Sequence, residues 1–299
     1  MSFVIAHLSD AHIGPVPRPN LAELLGKRVT GYVNWLYKRA DQHGMDVLSE
    51  IVSDLMNNHP DHVIMTGDIV NIGLAAELSL AKEWLSTLGP ATAVSFTPGN
   101  HDAYVDQSTA LIDTIFRPWI SGDTPSHGFP YVRRRGDIGL IGLSSGVPTG
   151  PFIASGRLGS EQLAAMAALL DELRIEGRAR VVFLHHPPHV GGARLLRGLE
   201  DAELFEKTIA QHGADLIVHG HNHKPSLAYL EGPMGPIPVV GVGSASARAA
   251  GHKPAASYHL YFFNRIDKNF EISMIRRGLN ASGEVCELER RVISSNVPA

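Results

Sequence analysis

The stretch Val63-Ile64-Met65-Thr66-Gly67-Asp68 decides the fold, because it joins an apolar run typical of a buried strand to a glycine and a carboxylate. Four further stretches share this design. They are Val4–Leu8 with Asp10 and His12, Ala93–Phe96 with Asn100, His101 and Asp102, Val181–Leu184 with His185 and His186, and Leu216–Val218 with His221 and His223. Open α/β sheets carry their functional sites at the carboxyl ends of the strands. The five stretches therefore predict one shared pocket, whose Asp, Asn and His side chains suit two divalent metal ions.

The composition of the 299-residue chain is that of an ordinary globular protein, with 44% hydrophobic residues. Its net charge of −4 gives no strong field that would recruit nucleic acid or an anionic membrane. The one cysteine, Cys286, excludes an intramolecular disulfide and a zinc–thiolate site. Because the sequence shows neither a signal peptide nor an apolar run of membrane-spanning length, we expect a cytoplasmic protein.

Strand-like and helix-like segments alternate along most of the chain, which predicts βαβ units followed by antiparallel strands. The predicted helices are 46–58, 75–88, 108–116, 160–174 and 201–212. A pair of strands is expected around Arg135-Gly136-Asp137, and a hairpin turn at Asp267-Lys268-Asn269. This order predicts an α/β fold, a four-layer α-β-β-α sandwich of two packed mixed sheets with helices outside.

We expect one domain over residues 1–299, with an insert at about 15–45 that could form a lid and a β-rich tail at about 238–299. Within the insert, Leu21–Ala40 carries apolar residues at helical spacing. These apolar residues are Leu21, Leu24, Leu25, Val29, Tyr32, Val33 and Leu36. The favoured interpretation is an ordinary helix that docks on the core and leaves a basic side in water. The alternative is a lid or membrane-facing element, because Trp, Tyr, Lys and Arg beside an apolar stripe suit a lipid interface.

Five short blocks of the sequence resemble the calcineurin-like metallophosphoesterase superfamily. The blocks are Asp10-Ala11-His12, Gly67-Asp68, Gly99-Asn100-His101-Asp102, His185 and Gly220-His221-Asn222-His223, and their order and spacing agree with the family. The stretches Gly67–Asn71 and His185-His186-Pro187-Pro188 further resemble the bacterial cyclic-nucleotide and glycerophosphodiester phosphodiesterase branch.

The resemblance implies a role for each matched residue. Metal one would take Asp10, His12, Asp68 and His223, and metal two would take Asp68, Asn100, His185 and His221. Asp68 would bridge the two ions, which could be Mn, Fe or Zn. Asn100 and His101 would contact the substrate phosphate, and His101 would assist the leaving group. His186 would lie behind the metal ligands or contact the phosphate.

One position departs from the protein-phosphatase branch of the superfamily. There, the residue three places after the bridging Asp is another Asp, which pairs with the His of the Asn-His block; here it is Asn71. An amide does not stabilise an imidazolium as a carboxylate does. We therefore expect His101 to position and neutralise the phosphate, with Asn71 orienting the ring by a hydrogen bond. Asp102 is expected to cap or orient its loop.

These observations predict a metal-dependent phosphodiesterase that hydrolyses a small cyclic-nucleotide or glycerophosphodiester substrate by in-line attack of a metal-bridging hydroxide. One alternative is a phosphomonoesterase acting on a nucleotide, sugar phosphate or phospholipid-derived substrate. Another is a catalytically silent phosphate-binding protein. A nuclease is disfavoured by the acidic overall charge. The β-rich tail could supply an interface in a homo-oligomer. His189 is expected to be either a rim residue or a substrate contact, and His43 is among the histidines that are expected to be structural.

Overall fold

The computed structural model describes residues 2–39, 41–124, 128–249 and 254–295. Its helices are α1 (Lys27–Asn34), α2 (Met45–Asn57), α3 (Ala75–Thr87), α4 (Asp106–Ile115), α5 (Ser160–Ile175) and α6 (Ala202–His212). Its strands are β1 (Phe3–Leu8), β2 (His62–Met65), β3 (Val94–Phe96), β4 (Tyr131–Arg135), β5 (Ile138–Gly142), β6 (Ala179–Phe183), β7 (Leu216–His219), β8 (Ser226–Leu230), β9 (Ile237–Gly241), β10 (Ser257–Ile266), β11 (Asn269–Leu279) and β12 (Val285–Ser295). Within the described ranges, every helix is too short or too polar to cross a lipid bilayer.

The strands form two six-stranded mixed sheets. The first sheet has the order β12-β11-β10-β1-β2-β3, and the second has the order β4-β5-β6-β7-β9-β8. In the first sheet β1, β2 and β3 run parallel, and β10 pairs antiparallel with β1. In the second, β5, β6, β7 and β9 run parallel, and β4 and β8 pair antiparallel at the two edges. Each sheet therefore brings a group of parallel strands to a shared carboxyl edge.

The two sheets pack face to face through one large apolar cluster. Val181 on β6 and Val218 on β7 belong to that cluster, together with the buried residues of the first sheet. Their chain neighbours Val182 and Ile217 belong to a second cluster with α5 and α6, because successive side chains of a strand point to opposite faces. Helices α2, α3 and α4 pack on the first sheet, because Ile51, Leu78 and Ile112 belong to the same large cluster as its strands. The predicted four-layer α-β-β-α sandwich is confirmed.

The helices and turns expected from the sequence are present, and the ends of the five predicted helices differ by at most two residues from those observed. The expected strand pair corresponds to β4 and β5, and β10 and β11 are joined at Asp267-Lys268. The insert contains α1 and a π-helical turn at Trp35–Arg39. Ala40, which the predicted insert helix includes, lies outside the described residues.

Helix α1 agrees with one part of the favoured interpretation and contradicts the other: Tyr32 packs against a small buried cluster that contains Ile72 and Tyr104, but the basic side of the helix is not left in water. Arg28 is only 6% exposed, whereas Val29 is 46% and Val33 is 48% exposed. The Arg28 guanidinium donates hydrogen bonds to the carbonyl oxygens of Ile72 at 3.2 Å and Gly73 at 2.6 Å. Because hydrogen bonds to the main chain hold the helix in place, much of its apolar stripe is left in solvent.

Candidate metal centre

The loops that follow β1, β2, β3, β6 and β7 meet at one end of the two sheets and line a common cleft of about 880 Å³. Among the predicted site residues, the lining contains Asp68, Asn100, His101, His221 and His223. Asp10, His12 and His185 are fully buried beside them. The structure thus brings together the side chains that the strand-end pattern singled out.

Five of the predicted ligands have a left-handed backbone. Their φ values are 55° at Asp10, 41° at His12, 54° at Asp68, 69° at His221 and 53° at His223. Residues other than glycine adopt positive φ rarely and at an energetic cost, and such residues cluster at functional sites. The two members of each Asp-x-His or His-x-His pair therefore do not project from a regular extended strand. Left-handed turns at both members of each pair direct the side chains into the site.

Asp10, His12, Asp68 and His223 form a first group of candidate ligands. Nε2 of His12 lies 3.3 Å from Nε2 of His223, and 4.0 Å from both Asp10 Oδ1 and Asp68 Oδ2. Nδ1 of His12 donates to the Val70 carbonyl at 3.1 Å, so the Nε2 lone pair is directed at the group. Asp10 Oδ1 lies 3.1 Å from His223 Nε2, and it is buried without an aligned hydrogen-bond donor among the described residues.

Asp68, Asn100, His185 and His221 form a second group that shares Asp68 with the first. Nε2 of His185 lies 3.3 Å from Asp68 Oδ2 and 3.2 Å from His221 Nδ1. Nδ1 of His185 donates to the Thr66 carbonyl at 2.6 Å, which again leaves Nε2 as the nitrogen that can bind a cation. Asn100 Oδ1 is buried and has no hydrogen-bond partner in the described chain.

This donor set fits a pair of divalent cations. A buried polar atom without a partner is costly, and a bound cation would satisfy Asp10 Oδ1 and Asn100 Oδ1 at once. Carboxylate, amide and imidazole donors without thiolate suit borderline-hard ions. The carbonyl partners of His12 and His185 are the outer contacts that orient histidine ligands in metal sites. The roles of the individual residues stay predictions.

The electrostatics of the cleft keep its shared carboxylate charged. Burial alone raises the pKa of Asp68, but the facing rings of His185 and His101 hold that pKa well below its ordinary value. Burial lowers the pKa of His185, and the Asp68 carboxylate more than compensates and raises it to about 9. Asp68 is therefore ionised at neutral pH, which is the state in which a carboxylate binds a cation.

Asp102 ties the two ligand loops together. Its Oδ2 accepts hydrogen bonds from the backbone N–H groups of Asp68 at 2.7 Å and Gly99 at 2.8 Å, and its Oδ1 accepts from Ile69 at 3.0 Å and Val70 at 3.2 Å. Burial and the Asp68 carboxylate raise the pKa of Asp102 to about 7, whereas the four donors favour its ionised form. This geometry fits the expected role of Asp102 in orienting its loop, because the side chain holds Asp68 in position without reaching the cleft.

His101 lines the cleft and is fixed by two hydrogen bonds, one made by its backbone N–H and one by its ring. Its backbone N–H donates to Asp68 Oδ1 at 2.8 Å, and its Nδ1 donates to the main-chain carbonyl of Asn71. The Asn71 amide instead donates to the Ile13 carbonyl at 2.8 Å. Orientation of His101 therefore comes from the backbone of Asn71, whereas the expected contact was to its side chain. Because a carbonyl only accepts, the proton lies on Nδ1, and a neutral His101 has its lone pair on Nε2.

His186 does not line the cleft, which agrees with the first of its two predicted places, behind the metal ligands, and not with contact to the substrate phosphate. The ring is fully buried, its Nδ1 is 2.8 Å from the Ser145 hydroxyl, and its Nε2 donates to the Ala154 carbonyl at 3.2 Å. Burial, followed by the neighbouring His185, lowers the pKa of His186 to about 3. Both nitrogens of this neutral ring are engaged within the protein, so His186 packs behind His185 and His221.

His43, which sequence reasoning treated as structural, lies against the first ligand group. Its ring centroid is 4.6 Å from that of His12 and 5.6 Å from that of His223. A nitrogen of each of the three rings lies within 4.8 Å of the other two. His43 lines the cleft, and its Nδ1 is 2.8 Å from the Ser246 hydroxyl. No strand end precedes His43, so the pattern that found the other residues missed it; its place in the polar turn before α2 was the only signal.

Comparisons with known proteins agree with this geometry. The family model described as calcineurin-like phosphoesterase matches residues 3–225. A probable cyclic nucleotide phosphodiesterase from Synechococcus sp. is 30% identical over 186 residues, which are 61% of this chain and 64% of that protein, so the match spans less than two thirds of the relative. A dimetal phosphatase from Danio rerio has a TM-score of 0.59 at 13% identity, with 98% of each chain covered. A purple acid phosphatase from yellow lupin has a TM-score of 0.59 at 13% identity, with 96% of this chain and 53% of that chain covered. At such low identity these structures establish the fold alone.

Proposed function

The chain belongs to the calcineurin-like phosphoesterase family and is a metal-dependent phosphoesterase, and from that premise we propose that it hydrolyses a phosphodiester of the cyclic-nucleotide or glycerophosphodiester type. The observation that carries the proposal is the convergence of two ligand groups on Asp68 in an open cleft. The similarity to a probable cyclic nucleotide phosphodiesterase supports a diester substrate.

The charge of the cleft favours an anionic ligand. The basic residues that line it are Arg194, Arg197, Lys224 and Arg248, and Asp68 is the one carboxylate among the described lining residues. A cleft lined by charges of one sign raises the local concentration of an oppositely charged substrate. Its volume of about 880 Å³ accommodates the substituents on both sides of a phosphodiester.

In this proposal the residues of the chain hold and orient the phosphodiester. Asp68 bridges the two ligand groups, and Asp102 fixes its backbone through the Asp68 N–H. When bound, two divalent ions would activate water and neutralise charge that develops on the phosphoryl oxygens. His101 lies at the cleft surface with its ring fixed by the Asn71 carbonyl, so it can orient a phosphoryl or leaving-group oxygen without a new conformational cost.

The test is hydrolysis of bis(p-nitrophenyl) phosphate and p-nitrophenyl phosphate by metal-stripped protein refilled with Mn. We expect kcat/KM for the diester to exceed that for the monoester by at least about tenfold, and Asp68→Ala to abolish turnover. Asp61→Ala is the matched control, because the Asp61 carboxylate is exposed and accepts one hydrogen bond, from the Val4 N–H at 2.7 Å. Preference for the monoester, or turnover that survives in Asp68→Ala, would contradict the proposal.

A further inference from the structure

A group of exposed apolar side chains, the apolar rim, comprises Leu25, Val29, Val33, Leu36, Phe152, Leu195 and Leu196. Phe152 is 88% exposed and Leu195 is 91% exposed. Single apolar residues on a protein surface are common, but a contiguous apolar group indicates a binding surface. The apolar rim comes from three separate segments, namely residues 21–37, which include α1, residues 149–154 and residues 194–198.

Hydrogen bonds join these three segments at the edge of the cleft. The Lys27 ammonium donates to Thr149 Oγ1 at 2.7 Å and to the Ile153 carbonyl at 3.4 Å, which connects α1 to the second segment. The Ala154 N–H donates to the Leu196 carbonyl at 2.9 Å, which connects the second segment to the third. Each segment also supplies a lining residue of the cleft. These lining residues are Asn34, Ala154, Arg194 and Arg197.

The docking of α1 keeps the apolar rim in solvent. Arg28 is buried against the main-chain carbonyls of the Ile72–Gly73 turn, and its Nη1 donates to Gln107 Oε1 at 3.2 Å. A Cβ atom at Gly31 would overlap the Tyr104 hydroxyl, so the helix lies close against the protein on that side. Burying a guanidinium costs free energy that an apolar contact would not. An arrangement that buries the arginine and exposes Val29 is therefore not explained by folding stability alone.

Local backbone strain at two positions of the apolar rim also indicates a binding surface. Phe152 has a φ of 68° and Leu196 has a φ of 63°, although neither is glycine and both side chains are exposed. A left-handed backbone costs about 1–3 kcal/mol at such residues. Strain of this kind persists where it presents a side chain for a function.

The charges beside the apolar rim are mainly positive. Apart from the buried Arg28, residues 21–37, 149–154 and 194–198 contain three basic residues, Lys27, Arg194 and Arg197, against one carboxylate, Glu23, while the whole chain carries a net charge of −4. Basic residues beside exposed apolar side chains are typical of surfaces that bind anionic lipid. Two copies of the chain that met through this surface would bring like charges together, which disfavours a second copy as the occupant.

We propose that the apolar rim docks on an anionic lipid surface and that the substrate is an amphiphilic phosphodiester. Its headgroup would enter the cleft while its acyl chains remain against the apolar rim. This inference rests on the proposed phosphodiesterase function for its substrate class, but lipid binding by the apolar rim does not depend on turnover.

The first experiment measures binding without catalysis. Protein is sedimented with vesicles of phosphatidylcholine alone or with 30 mol% phosphatidylglycerol. We expect binding to the anionic vesicles, and at least about tenfold weaker binding for Val29→Ser/Val33→Ser and for Phe152→Ser/Leu195→Ser. Ile175→Ser/Met234→Ser is the matched control, because both residues are 80% exposed and lie outside the apolar rim. It should bind vesicles as the unaltered protein does.

The second experiment separates this inference from the proposed function. The apolar-rim variants should hydrolyse soluble bis(p-nitrophenyl) phosphate within about twofold of the unaltered protein, but lose at least about tenfold in kcat/KM on a vesicle-embedded phosphodiester. Asp68→Ala should still bind vesicles. Equal vesicle binding by all variants, or no binding by the unaltered protein, would overturn the inference. Concentration-dependent dimerisation that the same variants abolish, without vesicle binding, would also overturn it and assign the surface to a second copy.

Discussion

Replacing Asp102 with Asn should destabilise the protein and lower its activity together. The Asp102 carboxylate accepts four backbone hydrogen bonds, two on each oxygen. An amide keeps one oxygen, so its NH₂ group would face either the Asp68 and Gly99 donors or the Ile69 and Val70 donors. Each lost hydrogen bond to a charged group is worth about 1.5–3 kcal/mol, and the smaller cost of burying a neutral side chain offsets part of that loss. We expect Asp102→Asn to lower the free energy of unfolding by about 2–4 kcal/mol.

The assay is urea denaturation at pH 8 together with steady-state hydrolysis of bis(p-nitrophenyl) phosphate. Because Asp102 fixes the backbone of Asp68, kcat/KM should fall by about 10–100-fold. Asp61→Asn makes the same chemical change at an exposed carboxylate with one backbone donor, and it should stay within about 0.5 kcal/mol of the unaltered protein. A loss below about 1 kcal/mol with unchanged kcat/KM would refute the reasoning, because the four hydrogen bonds would then not hold the ligand loops.

Three further predictions follow from other contacts. His43→Ala should lower kcat/KM by about 10–100-fold in steady-state kinetics, since the ring lies beside His12. Unchanged kinetics would contradict this and show that the role of His43 is structural. Burial, followed by the Arg133 charge, lowers the pKa of His62 to about 3, so its neutral form contributes stability above pH 6.5 that is lost as the pH falls towards 3. In metal-stripped protein, urea denaturation of His62→Gln at pH 8 and pH 5 should show a pH-dependent loss about 2 kcal/mol smaller than that of the unaltered protein, and an equal loss would contradict this. Glu77→Ala removes the acceptor of three backbone N–H groups and should cost about 2–4 kcal/mol, or about 3–6 °C in Tm by calorimetry, whereas a Tm within 1 °C would contradict it.

The fold and the proximity of the candidate ligands could both be predicted from the sequence, because both follow from the positions of the strands. Apolar runs of four or five residues specify buried strands, and parallel strands bring the residues that follow them to one edge. This is why Asp10, Asp68 and His185, which are far apart in the chain, could be assigned to one pocket. The left-handed backbone at Asp10 and Asp68 could not be foreseen, because positive φ at a residue other than glycine depends on tertiary contacts.

Two errors of the sequence interpretation have a common cause, which is that polar contacts to the main chain leave no periodic signal. Arg28 docks α1 through carbonyl oxygens, so the apolar stripe that predicted burial is exposed. Asn71 orients His101 through its carbonyl, so the identity of its side chain did not indicate the contact. His43 is a third case, because its place in the cleft depends on a hydrogen bond to Ser246, 203 residues away in sequence.

The most direct test of the central claim is the metal content of the protein. Metal-stripped protein is titrated with Mn by calorimetry, and the bound metal is then counted by elemental analysis after gel filtration, alongside Asp68→Ala and the Asp61→Ala control. The account predicts two ions per chain in the unaltered protein and in Asp61→Ala, and no more than one in Asp68→Ala, because Asp68 belongs to both ligand groups. One ion or none in the folded, unaltered protein, or two in Asp68→Ala, would contradict it.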